Sequence, residues 1–447
     1  MAIRTKSANS KLSLPSIQMS SLKSLSKSRF VRNVLVVATG TAGAQAITIA
    51  FSPILTRLYG PEAFGLLGTF MAVLAIATPI AALTYPIAIV LPKSDTEAIG
   101  LCKLSAGLAF AAAALLGLLI LLLGDRLAEL FSLQSISGFL LLIPLAMIFS
   151  AFHQILLQWL IRKQQFRLTA QVAVVQAFTV NSAKAGIGWF NPLATTLIVL
   201  ATLGSALHVL LLWLSLRKRS IPRSRSEQGD PVIRQYNVQR LKKLAYRYRD
   251  FPLYRAPQIA INALSQGLPV LLLASFFGPV AAGLYSIAKM TLGAPVTLIG
   301  QSISTVFYPK FNEAYSNKEN SYRLLMKSLG LLAVVGLTPA VVVIFFGPLF
   351  FEVVFGSEWA GAGVYAQWMA PWFYCMLITR PVIAAIPVLS MQKFFLIYEL
   401  AGVPVRAGML LLGFYIYSSP VVSVALFSLI NCFMYLILTV KALTMAR

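Results

Sequence analysis

Apolar stretches of about twenty residues recur along almost the whole chain, and that is the length an α-helix needs to cross a hydrocarbon core. Twelve can be read, at about 33–56, 64–91, 102–123, 138–160, 168–190, 193–215, 251–275, 280–307, 325–347, 362–388, 394–416 and 419–441. Inside a bilayer each backbone amide must find its partner within its own segment, so these stretches are expected to be helices. Composition agrees with the pattern. Charged residues make up 11% of the chain and hydrophobic ones 58%, whereas soluble domains carry about 25% charged residues. The chain therefore reads as an all-α polytopic membrane protein with about 12 transmembrane helices.

A net charge of +24 would suggest nucleic acid in a soluble protein, but the charge has a one-sided distribution. Of the 37 Lys and Arg, 30 fall in connections that lie on one side of the expected spans. Only Arg57 and Arg126 fall on the other side. Such a bias places both termini in the cytoplasm, and it favours anionic lipid headgroups; no nucleic acid is needed to explain it. Residues 1–32 form a basic cytoplasmic tail without the apolar core of a cleavable signal. Residues 216–250 form a basic, polar, partly disordered cytoplasmic linker. That linker separates an N-terminal lobe, 33–215, from a C-terminal lobe, 251–441, which is followed by a short tail, 442–447. Cys102, Cys375 and Cys432 have no paired spacing and read as small apolar residues, with no metal or redox role.

The two lobes carry a repeat. Gly60-Pro61-Glu62-Ala63-Phe64-Gly65-Leu66 returns as Gly278-Pro279-Val280-Ala281-Ala282-Gly283-Leu284. Pro79 and Leu91-Pro92-Lys93 return at nearly the same offset as Pro295 and Tyr308-Pro309-Lys310, while Tyr85-Pro86 has no counterpart. Halves of six spans each enter the membrane in the same orientation, so the expected architecture is two parallel repeats with a site between them near the midplane.

Five cations fall within spans: Lys184, Arg255, Lys289, Arg380 and Arg406. Glu399 is the one acid there. Each charge at membrane depth costs about 2.5–3.5 kcal/mol, so the imbalance calls for water or an anion. Arg255 lies near the cytoplasmic end of its span, where it can snorkel. Arg380, Arg406, Lys289 and Lys184 are the candidates for a cationic, substrate-binding cavity. Glu399 is a candidate for proton coupling or for orienting Arg406. By helix rise the two are roughly 10 Å apart, too far for a tight pair without bending, though water could connect them. His153 and His208 read as isolated packing residues. No Walker-type loop, Gly-x-Ser-x-Gly, HExxH or paired-carboxylate loop is present, so neither an enzyme nor a cofactor is expected. Short outer loops argue against a membrane-bound glycan polymerase or ligase. A major-facilitator carrier would carry a Gly-rich, Asp/Arg-bearing loop that residues 92–103 lack.

Beyond these physical readings, Leu55-Thr56-Arg57-Leu58-Tyr59-Gly60-Pro61-Glu62-Ala63-Phe64-Gly65-Leu66 resembles the first connection of the Wzx-type polysaccharide-biosynthesis flippases. So do Leu91-Pro92-Lys93-Ser94-Asp95-Thr96-Glu97-Ala98, Tyr248-Arg249-Asp250-Phe251-Pro252-Leu253-Tyr254 and Phe307-Tyr308-Pro309-Lys310. The resemblance implies the polysaccharide-transporter branch of the superfamily that also holds the MATE exporters, with a V-shaped, two-lobe, alternating-access fold. It implies a bacterial inner-membrane location and, as cargo, an undecaprenyl-pyrophosphate-linked oligosaccharide such as an O-antigen, lipopolysaccharide, capsule or exopolysaccharide repeat. Membrane lipids, and a polymerase with its chain-length regulator, are the partners it suggests. Within the matched blocks Arg57 and Asp250 are candidate gate residues. A MATE-like antiporter of small molecules is the alternative, and the sign of the cavity charge separates the two.

Overall fold

The computed structural model describes residues 29–130, 133–218, 238–317 and 320–447. Most of the expected basic tail, residues 1–28, and of the linker, residues 219–237, lie outside the described residues. The described residues contain helices and no strand. In the first lobe the helices are α1 (Arg29–Leu58), α2 (Pro61–Ala81), α3 (Asp95–Leu130), α4 (Leu142–Arg162), α5 (Phe166–Phe190) and α6 (Ala194–Lys218). Next comes the short α7 (Val238–Arg247), and then α8 (Ala256–Phe277), α9 (Pro279–Ser316), α10 (Ser321–Phe355), α11 (Ala360–Ile378), α12 (Arg380–Ala385), α13 (Gln392–Tyr417) and α14 (Pro420–Met445).

Every predicted apolar stretch is largely helical, although 64–91 runs past the end of α2 and 362–388 is divided between α11 and α12. Among the described residues nine helices are long and apolar enough to cross a membrane; the protein is a multi-pass membrane protein. Helices α5 and α11 fall outside the nine for a physical reason. Helix α5, like α1, turns polar side chains towards a cavity, Thr169 and Gln176 from α5 and Thr41, Gln45 and Thr48 from α1. Helix α11 is enclosed by its neighbours, burying Tyr365, Met369, Trp372 and Phe373. Helices with polar or protein-covered faces need fewer lipid-like side chains. The opposite case is α3 and α10, which hold corresponding places in the two lobes. They expose Leu118, Leu121 and Leu122, and Val334, Phe345 and Phe346, the face that lipid would cover.

The prolines mark where helices start and break. Pro61 and Pro279 begin α2 and α9, where the missing N–H is no loss. Helix α2 stops at Ala81. Leu83 and Thr84 then take positive φ, and Tyr85–Val90 forms a 3-10 turn begun by Tyr85-Pro86. The second lobe lacks that Tyr-Pro pair, and α9 runs on through Pro309 to Ser316. The span predicted over 362–388 is broken at Thr379, with Arg380-Pro381 opening α12.

One segment departs from the sequence reading. The end of the expected linker is a helix, α7, whose Leu244 is buried with Tyr85, Ile89, Ala98, Leu101 and Ile155 of the first lobe. Tyr85 donates its hydroxyl to the Ala245 carbonyl at 3.0 Å, and Arg247 pairs with Glu97 at 3.1 Å. Apolar residues three and four apart give α7 one face to bury, which a reading based on charge alone overlooks.

Candidate functional site

The lobes meet along α2 and α9. Gly65 and Gly283, equivalent in the repeat, each lie against the opposite helix. A Cβ on Gly65 would collide with the Pro279 carbonyl, and one on Gly283 with the Pro61 carbonyl. Gly68 packs on Ser286 in the same seam, and Ala72 on Gly267 of α8. Residues 61, 65, 68 and 72 recur at helical spacing, and small residues there let two backbones approach closely. Beside the seam, Trp359 Nε1 donates to the Thr56 carbonyl at 2.9 Å, and Arg57 Nη2 donates to the Val353 carbonyl at 2.8 Å. Phe64 meets the Trp359 ring edge-on at 5.3 Å. The contacts of Gly65, Gly283, Trp359, Arg57 and Phe64 lie at the end of the bundle that carries the two Gly-Pro turns, and those of Gly68 and Ala72 lie progressively deeper.

Towards the other end, where Arg162 and Lys163 hold Asp95, the lobes separate around a cavity of about 880 Å³. The first lobe supplies Gln45 and Thr48 from α1, His153 from α4, Gln176 from α5 and His208 from α6. The second lobe supplies Ser286, Lys289 and Thr297 from α9. Among the described residues no carboxylate lines it. Lys289 Nζ donates to the Gln266 carbonyl at 2.7 Å, a neutral partner that leaves the ammonium charge uncompensated. Gln45 Oε1 is buried without a hydrogen bond. A buried polar atom without a partner is an opening for a ligand or water.

Of the four cations expected at such a cavity, Lys289 is among its lining residues. Lys184, Arg380 and Arg406 are not. Lys184 lies nearer the Gly-Pro end of α5, where its carbonyl accepts the Tyr59 hydroxyl. Arg380 begins α12, with its guanidinium against α9 at Gly300, where an added Cβ would come 2.8 Å from Nε. Depth in a span was readable from the sequence, but the face a residue turns was not.

Arg406 is 7% exposed and satisfied from within the second lobe. Its Nε donates to Asn431 Oδ1 at 3.0 Å, and its Nη1 donates to Ser265 Oγ at 2.8 Å and Glu399 Oε2 at 3.4 Å. The expected gap between Glu399 and Arg406 is thus wrong. Helix rise alone separates the two backbones, but a long side chain on a helix leans towards the N-terminus. Gly402, one turn back, leaves room for it: an added Cβ would stand 3.3 Å from the Arg406 guanidinium. On its other side Glu399 borders a smaller cavity of about 230 Å³ with Arg255, Gln258 and Asn262. Asp250 is exposed at the turn before α8, and nearby Arg247 pairs with Glu97.

The residues missed from sequence are the histidines. His153 and His208 are neighbours, with ring centroids 4.3 Å apart and planes tilted by 49°. They stand 55 positions apart in the chain, and only the packing of α4 on α6 brings them together. A search for the chain's few imidazoles on helices expected to be adjacent would have found them.

Comparison with solved structures shows the fold, which is shared with several MOP-superfamily transporters. An inward-facing multidrug resistance MATE transporter aligns with a TM-score of 0.70 at 12% identity, covering 89% of this chain and 93% of that one. The lipid II flippase MurJ, in an inward closed conformation, aligns with a TM-score of 0.72 at 12% identity, covering 92% and 87%. A Pyrococcus furiosus MOP-superfamily transporter, described as having a binding pocket of reversed polarity, aligns at 0.59 with 12% identity over 92% and 94%. A search of curated sequences finds no match. The family profile described as polysaccharide biosynthesis protein matches residues 54–363, and the chain belongs to that family.

Proposed function

We propose that this protein flips an undecaprenyl-pyrophosphate-linked oligosaccharide from the cytoplasmic to the periplasmic leaflet of the bacterial inner membrane by alternating access. The observation that carries the reading is the cavity between the lobes, which holds a lysine with no carboxylate and is shut at one end by reciprocal glycine contacts. A pyrophosphate is an anion suited to such a wall, and the polysaccharide-biosynthesis family supplies the sugar. In this reading the basic end faces the cytoplasm, following the positive-inside bias, and the lobes are 33–215 and 251–441.

Lys289 meets the pyrophosphate. Arg57 gates the periplasmic end together with Trp359, and Lys184 and Arg380 come into play when the lobes reopen. Arg406 and Glu399 act as a unit, with Glu399 as the coupling group. Asp250 sits at the cytoplasmic hinge. The product chain would pass to a polysaccharide polymerase and its chain-length regulator. A MATE-like antiporter of cationic drugs is disfavoured, because that cargo would need carboxylates in the cavity.

The test is reconstitution. Proteoliposomes holding the protein should move a fluorescent undecaprenyl-pyrophosphate oligosaccharide between leaflets, and Lys289→Glu should stop it. Liposomes that expel cationic dyes but leave the lipid in place would replace this reading with the antiporter.

A further inference from the structure

We infer that His153 and His208 form a proton-dependent anion site on the first lobe, which grips from one side the phosphate group that Lys289 meets from the other. The inference rests on the flippase reading for the cargo, and on its own geometry for the site. The chain has two histidines in 447 residues; they come from different helices and touch, at 4.3 Å between centroids. Both line the cavity between the lobes.

A neutral imidazole pair is compatible with an empty, carboxylate-free cavity. Two imidazolium ions side by side would repel each other, and the surroundings offer little to relieve them. The cavity-lining residues of α1 are Thr41, Ala44, Gln45, Thr48 and Ile49, and polar Thr169 and Gln176 from α5 are uncharged. Along their embedded lengths α2, α3, α4 and α6, the elements packed around the pair, carry no Asp, Glu, Lys or Arg between 63–81, 104–124, 142–161 and 194–216. Among the described residues that line the same cavity the one Lys, Arg, Asp or Glu is Lys289, itself a cation. An anion entering this space meets both demands at once, because it compensates Lys289 and makes protonation of the rings favourable. Binding is then linked to proton uptake, as for any ligand that prefers the protonated state of its site. Each charged ring offers a charge-assisted N–H donor to a phosphate oxygen. The amide of Gln45 stands on the same wall.

The arrangement also gives the cycle a direction. The histidines belong to the first lobe and Lys289 to the second, so an anion bridging them draws the lobes together. Losing the protons loosens one side of the bridge.

The experiment is binding of farnesyl pyrophosphate, a short polyprenyl pyrophosphate, to the full-length protein in nanodiscs. It is run at about pH 5.5 and about pH 8 in buffers of unequal ionisation enthalpy, which counts protons. For the wild type, affinity should tighten as pH falls, by up to about tenfold per pH unit for each proton taken up. His153→Asn/His208→Asn should keep binding through Lys289 but lose the protein's share of that slope, leaving only the ligand's own titration. Lys289→Gln should weaken binding at both pH values and keep the slope. An unchanged slope and proton count in the double variant overturns the inference and leaves the flippase reading standing. No binding by wild type at either pH overturns both. Histidine NMR on the wild-type protein gives an answer that needs no variant: both rings should become protonated when the ligand is added near neutral pH, and rings that stay neutral overturn the inference.

Discussion

Gly65 on α2 and Gly283 on α9 occupy the same step of the repeat, and at each the backbone of the facing helix fills the space a side chain would need. The contact is reciprocal: the missing Cβ of one points at Pro279 and that of the other at Pro61. A pseudo-two-fold axis therefore passes between these helices, and the closed end of the protein is built on backbone against backbone.

Gly65→Leu should prevent that closure. In a background without the native cysteines, a cysteine at Thr56, 2% exposed in the closed seam, should react with an impermeant maleimide in the variant and resist it otherwise. Transport should fall with it, while the protein remains inserted. Equal labelling in both proteins would mean that the seam opens without the glycines.

Trp359→Phe keeps an aromatic ring against Phe64 and removes the hydrogen bond to Thr56. A bond of this kind is worth about 1 kcal/mol, so the open seam should gain roughly fivefold in population, with Thr56 labelling rising to match. Arg57→Ala removes the neighbouring bond to Val353 and should act in the same direction. The two variants share one interface, so their effects should not add fully.

Arg406→Ala leaves the Glu399 carboxylate without its buried partner and removes the link to Ser265 and Asn431. Breaking a buried pair from one side costs on the order of 3 kcal/mol, visible as a lower melting temperature in detergent. Glu399→Gln keeps a hydrogen-bond acceptor and should cost less. The double variant should cost less than the sum of the single ones, and strict additivity would mean that the pair is not coupled.

Lys289→Gln should abolish surface polysaccharide in cells while expression persists, and Lys289→Arg should restore part of it. Lys184→Gln, outside the cavity wall, should lower export less than Lys289→Gln does. Equal losses would move the anion site away from the cavity between the lobes.

The sequence yielded the helices readily, because twenty apolar residues have few alternatives, and the Gly-Pro turns exposed the repeat. It also marked Lys289, since a lysine at depth demands an explanation. Three things escaped it. Which way Lys184 and Arg380 face depends on how the lobes rotate and pack, which residue depth does not encode. The closeness of Arg406 to Glu399 depends on side-chain length and on the space left at Gly402, not on rise along the axis. The histidine pair depends on α4 meeting α6, a contact between residues that no local periodicity connects.

Helix α7 belongs by sequence to the approach to the second lobe, yet it is fastened to the first. The chain therefore has little slack where it passes from one lobe to the other. Any swing of the lobes must be taken up within Tyr248–Arg255, where a proline-bearing π-helical turn, Phe251–Arg255, replaces regular helix. That places the pivot beside Thr84, whose hydroxyl holds the Phe251 carbonyl at 3.1 Å. In the alternating-access cycle proposed above, this short joint is the covalent link about which the two halves would turn.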